Sequence, residues 1–349
     1  MAAICLIALA ACAQSEPRTL GDEEYLDRVY GAWTAMLVAN HSGLPVEGQW
    51  IDEPGPPDGF EFVFLDQWST DDDTHVEWLN LHILETHGLA PTYEQIRDEW
   101  VDHLNGDIWV STRAARDLMD EGLVPPATSD PERNPDGAWS IDAQLQTEVF
   151  GLLSPGRPDA ARKRARFFAL VTNRGPAVDA SAFYTHMIAE AFFDDDVAEL
   201  LRVARNAEPD DSLVASIVDQ VTEWHDDHPD DWRRTRRLIR DRWDTDPEFW
   251  GSRVNFAATV MALLYGDGDV SRTIEIAALA GWDADNNMAA AATVLGTIVG
   301  YEGLPATFQE STDVYFNEDL TNLDTFDSVR NIAARTAALG RQVVAEADR

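Results

Sequence analysis

Residues 288–300 read Met-Ala-Ala-Ala-Ala-Thr-Val-Leu-Gly-Thr-Ile-Val-Gly, a run that is small and apolar on every face of a helix. A helix of that kind has to be buried, and glycines four apart, Gly296 and Gly300, let a neighbouring backbone come close. The run is entered through Gly281-Trp282-Asp283-Ala284-Asp285-Asn286-Asn287. It therefore carries carboxylates at the N-terminal end of a buried helix. An isolated buried charge is very costly, so the fold must supply a compensating partner at that point.

A second stretch has the same character. Ser69-Thr70-Asp71-Asp72-Asp73-Thr74 puts three adjacent carboxylates at the start of an amphipathic pattern through Val76, Leu79, Ile83 and Leu84. Crowded carboxylates raise the cost of keeping all of them ionised. A helix N-terminus offers only about half an elementary charge, whereas a hard divalent cation suits an all-oxygen ligand set. Capping accounts for either stretch taken singly, because Asp and Thr are favoured N-caps. The pair together points to one metal site, holding two ions, on which both stretches converge.

Apolar residues recur at helical spacing along most of the chain. Helices are expected over 22–40, from about 70 through Leu84, and over 92–104, where Thr92 and Gln95 make a capping box. Further ones are expected over 140–153, 158–173, 179–193, 195–206, 212–224, 231–242, 249–265, 270–280, 287–300 and 325–347. Segments 52–59 and 122–138 are rich in Pro and Gly and read as loops. Only 61–65 alternates like a strand. No low-complexity linker interrupts 22–347, so the expectation is a single all-α domain of about a dozen helices.

The formal net charge of −37 argues against nucleic acid, whose phosphates would be repelled, and against anionic lipid surfaces. Cys5 and Cys12 are the only cysteines, so the rest of the chain can form neither an internal disulfide nor a thiolate metal site. The apolar stretch 2–11 is too short for a stable span and reads as an export signal over 1–12, followed by a polar linker over 13–21. Leu9-Ala10-Ala11-Cys12 is similar to a bacterial lipobox, although no Lys or Arg precedes the apolar run. The expected location is periplasmic or lipid-anchored. The basic cluster Arg233, Arg234, Arg236, Arg237, Arg240 and Arg242 reads as a solvated face balancing nearby acids. His75 reads as a packing residue, and neither a phosphate loop nor a serine elbow is present.

These motifs carry a resemblance. Asp27-Arg28-Val29-Tyr30-Gly31 leading into Gly43-Leu44-Pro45-Val46-Glu47-Gly48 resembles the opening of the ADP-ribosylglycohydrolase family. Thr70-Asp71-Asp72-Asp73-Thr74 resembles that family's first metal motif, and Gly281-Trp282-Asp283-Ala284-Asp285-Asn286-Asn287 its C-terminal one. Ile141-Asp142-Ala143-Gln144, 151–156 and 264–269 are similar to a bacterial branch, and the resemblance spans about 22–305. It implies an all-α fold, two Mg²⁺ ions (or Mn²⁺) and hydrolysis of a glycosidic bond at a ribosyl anomeric carbon. It further implies Asp71, Asp72, Asp73, Asp283, Asp285 and Asn286 as metal ligands. Asp72, Asp73 and Glu47 stand as catalytic residues, and Asp142, Trp282 and Glu47 as contacts to a small ribosyl substrate. Three positions depart from the pattern. Asn286 stands where threonine is usual, the first motif has an extra aspartate, and Asn40-His41 replaces Gly-Asp. The alternative is a non-catalytic ligand-binding member of the same fold.

Overall fold

The computed structural model describes residues 18–349. The expected export signal with Cys5 and Cys12, and most of the 13–21 linker, lie outside the described residues. The chain runs through α1 (Asp22–Gly43), β1 (Trp68–Ser69), α2 (Asp72–His87), α3 (Tyr93–His103), α4 (Val110–Asp120), α5 (Glu148–Leu152), α6 (Pro158–Ala169) and α7 (Pro176–Ala191). It continues through α8 (Val197–Asn206), α9 (Leu213–Asp227), α10 (Trp232–Trp243), α11 (Ser252–Gly266), α12 (Val270–Ala280), α13 (Ala284–Gly303), α14 (Ala306–Gln309), β2 (Val314–Phe316), β3 (Phe326–Ser328) and α15 (Val329–Ala347). The fold is all-α, as expected. Among the described residues, no helix is long and apolar enough to cross a membrane.

The centre of the fold is a seam between α1 and α13, and glycine makes it possible. A Cβ on Gly31 would stand 2.4 Å from the Gly300 carbonyl carbon and 2.8 Å from the Gly296 oxygen. At the far end, a Cβ on Gly43 would stand 2.3 Å from Asp285 Cα. The two helices therefore run antiparallel with backbone against backbone, and the C-terminus of α1 meets the N-terminus of α13. The close approach expected from the spacing of Gly296 and Gly300 is present. Gly300 itself leaves the helical region, at φ 69°, and kinks α13.

Several elements depart from the sequence reading. Segment 61–65 is not a strand; Phe62 and Phe64 pack on Phe308 at centroid distances of 5.3 and 6.0 Å, and Val63 N–H donates to Ser42 Oγ at 2.8 Å. Its alternation is satisfied by aromatic packing rather than by a ladder. The strands that do form are two or three residues long: β1 runs parallel to β2, with Trp68 opposite Tyr315, and β2 pairs antiparallel with β3. The expected helix over 140–153 is broken into a 3₁₀ turn, Asp142–Leu145, and α5. Side chains there bond to other segments, Gln144 Nε2 to Ser252 O at 3.1 Å and Asp142 Oδ1 from Thr112, and such bonds compete with helix continuation. Helix α4 carries no sequence signal at its start, since its N-cap Trp109 makes no side-chain capping bond and Val110 has φ 36°. The Thr92–Gln95 capping box is formed as expected.

The arginine cluster does more than cover a surface. Arg236 is fully buried and donates to the carbonyls of Trp50, Ile51, Asp52 and Ala280 at 2.6–3.1 Å. Arg237 and Arg240 pair with Glu53 at 2.6 and 3.0 Å. Together they strap the 50–55 loop against α10 and the end of α12.

A buried carboxyl pair, Glu77 on α2 and Glu148 on α5, lies in the core. Glu77 Oε1 accepts from Val149 N–H at 2.7 Å and Glu148 Oε2 from Thr147 N–H at 3.1 Å. Burial, and then the Glu148 charge, holds the Glu77 pKa well above the usual carboxylate range, while burial pushes Glu148 up to about 7. A raised folded-state pKa contributes stability that is lost as pH rises through it. Glu148→Gln keeps the oxygen that Thr147 N–H needs and puts an N–H beside Glu77. The variant is expected to lose less melting temperature than wild type between about pH 6 and about pH 8. Identical slopes in thermal melts would show that the pair does not titrate there.

Candidate active site

Two helix N-termini meet at the C-terminal end of α1. Asp71 is the N-cap of α2, its side chain accepting from Asp73 N–H at 3.4 Å. Asn40, near the end of α1 and fully buried, donates Nδ2–H to Asp71 Oδ2 and to Asp73 Oδ2, both at 2.8 Å. Upstream, Thr70 N–H donates to Phe316 O at 3.2 Å and its hydroxyl to Asp319 Oδ2 at 2.5 Å. The short sheet thus fixes where α2 begins.

The second half is held as firmly. Gly281 has φ 86°, and a Cβ there would lie 2.0 Å from Trp50 O. Trp282 follows at φ 59°, a conformation uncommon for a bulky residue that surrounding packing must enforce. It is fully buried, the Arg236 guanidinium lies 3.9 Å from its ring centroid, and its Nε1–H donates to Asp244 Oδ2 at 3.2 Å. Trp282 does not line the cavity; it locks the turn that aims Asp283 and Asp285. Asn255 on α11 completes the clamp, its Oδ1 accepting from Asp283 N–H at 3.1 Å and Asn287 Nδ2–H at 2.8 Å.

The two halves face one cavity of about 520 Å³, lined by Asp71, Asp72, Asp73, Asp283, Asp285, Glu47 and Asp142. Donor oxygens of Asp71, Asp72 and Asp73 lie within 4.8 Å of one another, as do those of Glu47, Asp283 and Asp285. Asn286 Nδ2 stands 3.5 Å from Asp73 Oδ1 and ties the groups together. That contact turns its N–H₂ toward the carboxylates, so Asn286 ligates a cation only with its amide reversed.

Burial is the largest cause of the upward pKa shift at Glu47, Asp71, Asp72, Asp73, Asp283 and Asp285, and the neighbouring acids add to it. Asp72 and Asp73 are held well above the usual range by burial and then by Asp71 and Asp285 respectively. Asp283 and Asp285 are raised by burial, followed by Asp285 for the first and Asp71 for the second. Glu47 sits at the exposed rim with its carboxyl turned in, and its pKa is raised by burial, Asp71 and Asp107. Without a cation the cluster can stay folded only by holding protons. Asp285 Oδ1 is buried and has no hydrogen-bond partner. An all-oxygen donor set with an orphaned oxygen fits a hard divalent ion.

Asp142 caps a helix, but not its own. Its Oδ1 accepts from Thr112 N–H at 2.8 Å and Thr112 Oγ1–H at 2.9 Å, closing the first turn of α4, and its Oδ2 has no partner. The sequence reading missed Asp107, Trp109 and Trp250, which also line the cavity. Asp107 has φ 43° and its pKa is pushed up to about 6 by burial and then Asp71. Trp109 is 60% exposed at the mouth, and Trp250 offers a buried Nε1–H without a partner. Nothing in the spacing of these residues marks them. Asn40 enters the sequence reading only as a departure from the family pattern, not as a partner of the carboxylates. His75 is fully buried, and burial lowers its pKa to about 4.

A protein-family model described as ADP-ribosylglycohydrolase matches residues 21–342. A solved structure described as an ADP-ribosylglycohydrolase-related protein complex is similar with a TM-score of 0.60 and 20% identity, over 92% of this chain and 99% of that one. At that identity the likeness speaks for the fold alone. No curated protein matches the chain.

Proposed function

We propose, from the premise that this chain belongs to the ADP-ribosylglycohydrolase family, that it is a metal-dependent hydrolase of a glycosidic bond at a ribosyl anomeric carbon. The observation that carries this reading is the convergence of Asp72, Asp73, Asp283 and Asp285 on one cavity. Asp72, Asp73, Asp283 and Asp285 would hold two Mg²⁺ ions, with Asp71 contributing the oxygen that its cap and Asn40 leave free. When bound, such ions lower the pKa of a water and orient oxygen ligands.

The chain's own residues supply the rest. Leaving-group departure from ribose C1 builds oxocarbenium-like charge, and a wall of carboxylates stabilises it electrostatically. Glu47 lies over Asp283 and Asp285 with a raised pKa, which suits a group that takes a proton from the attacking water near neutral pH. Asp142 Oδ2 and Trp250 Nε1–H offer an acceptor and a donor to sugar hydroxyls. Trp109 and Trp250 offer faces to a base or sugar ring. Export, if the 1–12 segment is processed at Cys12, favours a small ribosyl compound over a modified cytosolic protein.

The reading is tested by turnover of ADP-ribosyl-arginine and nucleosides, with and without chelator. Chelator-sensitive release of free ribose or ADP-ribose supports it. Phosphate release would indicate a phosphoesterase, and ADP-ribose binding by calorimetry with no turnover would favour the non-catalytic alternative, in which Asn286 weakens the second metal position. Glu47→Gln is expected to lower kcat by about 10²–10⁴-fold and to leave Mg²⁺ binding by calorimetry largely intact. Wild-type kcat in that variant would remove Glu47 as the base.

A further inference from the structure

At the far end of α2 from the acidic cavity is a second cluster of metal-type donors. His82 lies ten residues after Asp72, which is roughly 15 Å along a helix axis. Its Nε2 is 3.2 Å from Glu99 Oε2, and His103 Nε2 is 3.0 Å from the same oxygen. Donor atoms of His82, Glu99 and His103 all lie within 4.8 Å of one another. The spacing has a local cause, since Glu99 and His103 are four apart on α3 and share one face.

The surroundings resemble the outer shell of a metal site. His103 Nδ1 sits 2.8 Å from Thr321 O, so Nδ1–H donates to that carbonyl and Nε2 is the ring nitrogen turned toward Glu99. Nε2 and the Glu99 oxygen stand 3.0 Å apart, a contact that a cation held between a deprotonated Nε2 and the carboxylate would take over from a shared proton. His87 Nε2 holds the other carboxylate oxygen, Glu99 Oε1, at 2.6 Å. Backbone-oriented imidazoles and hydrogen-bonded carboxylates are how first ligands are held. Thr86 Oγ1, exposed and 3.4 Å from His82 Nε2, leaves the open side to an oxygen donor or water.

We infer that His82, Glu99 and His103 form a binding site for a first-row transition cation such as Zn²⁺, with His87 positioning Glu99. Two imidazoles and one carboxylate with an open fourth position suit Zn²⁺ and not Mg²⁺. The ion would tie α2 to α3 and, through Thr321, to the loop after β2. It shares no ligand with the acidic cavity and does not depend on the hydrolase reading.

The test uses the full chain, stripped with chelator and then kept in millimolar Mg²⁺ to fill the acidic cavity. Co²⁺ is added as a visible probe and Zn²⁺ as competitor. One equivalent of Co²⁺ with d–d bands of a nitrogen-containing low-coordinate site, displaced by Zn²⁺, is expected. His82→Ala and His103→Ala should each weaken Zn²⁺ binding at least about 100-fold, and His87→Ala about 10-fold, on the scale of outer-shell losses. Asp283→Asn should leave it unchanged. No Co²⁺ or Zn²⁺ uptake by the wild type would reduce the cluster to a hydrogen-bonded network. Uptake that survives the His82→Ala/His103→Ala pair, or is lost in Asp283→Asn, would overturn the assignment. The wild-type spectrum decides the matter even if the double variant does not fold.

Discussion

Replacing Asp285 by asparagine is expected to cut metal-dependent turnover by at least about 10³-fold while making the metal-free protein more stable. The first effect follows from the several kcal/mol that bound ions contribute to such transition states, at about tenfold in rate per 1.36 kcal/mol. The second follows from the site's electrostatics. Asp285 is buried among acids, its pKa raised by burial and then by Asp71 and Glu47, and its Oδ1 has no partner. Removing that charge relieves repulsion which only protons or cations otherwise offset. A gain of about 2–4 °C in the chelated protein corresponds to roughly 1 kcal/mol. Unchanged turnover, insensitive to chelator, would remove the metal mechanism, and a fall in the chelated melting temperature would contradict the repulsion argument.

Divalent ions and pH should act on stability together. The folded-state pKa values of Asp72, Asp73, Asp283, Asp285 and Asp107 are raised. The folded chain then binds more protons than the unfolded one, so stability falls as pH climbs. The window opens near the ordinary carboxylate value of about 4 and extends past the Asp107 value of about 6. In chelator, the melting temperature is expected to drop by roughly 5 °C or more between about pH 5 and about pH 8. Mg²⁺ held in the proposed site would replace the protons as counter-charge and should remove most of that slope, leaving the part carried by Glu77 and Glu148. Melts that rise with pH in chelator, or ignore Mg²⁺ throughout, would show that the cluster is not the linked group.

Much of this was legible because it rests on local chemistry. The all-round apolarity of 288–300 placed α13 in the core, its glycines foretold a closely packed neighbour, and the two acidic runs do meet at one cavity. The Thr92–Gln95 box was read correctly for the same reason. What was not legible depends on partners distant in the chain. Strands β1 to β3 are too short to alternate, and α4 begins under a cap lent by Asp142, thirty residues away. Asp107 reaches the cavity from a loop whose sequence carries no periodicity, and Trp250 from the turn just before α11, inside the range read as helix from 249. Trp282 was misread as a ligand contact because a tryptophan inside an acidic motif suggests stacking. Its actual partner, Arg236, is 46 residues upstream, in a cluster that looked like surface.

The glycine contacts between the first helix and the long apolar one leave no side chain to cushion any change of spacing. A methyl group added at Gly43 would press directly on the alpha carbon of Asp285. The floor of the cavity is thus mechanically stiff, and drift in what this architecture accepts has to occur at the rim. Exposed side chains at the mouth, Trp109 foremost, can change without disturbing how the acids below are set.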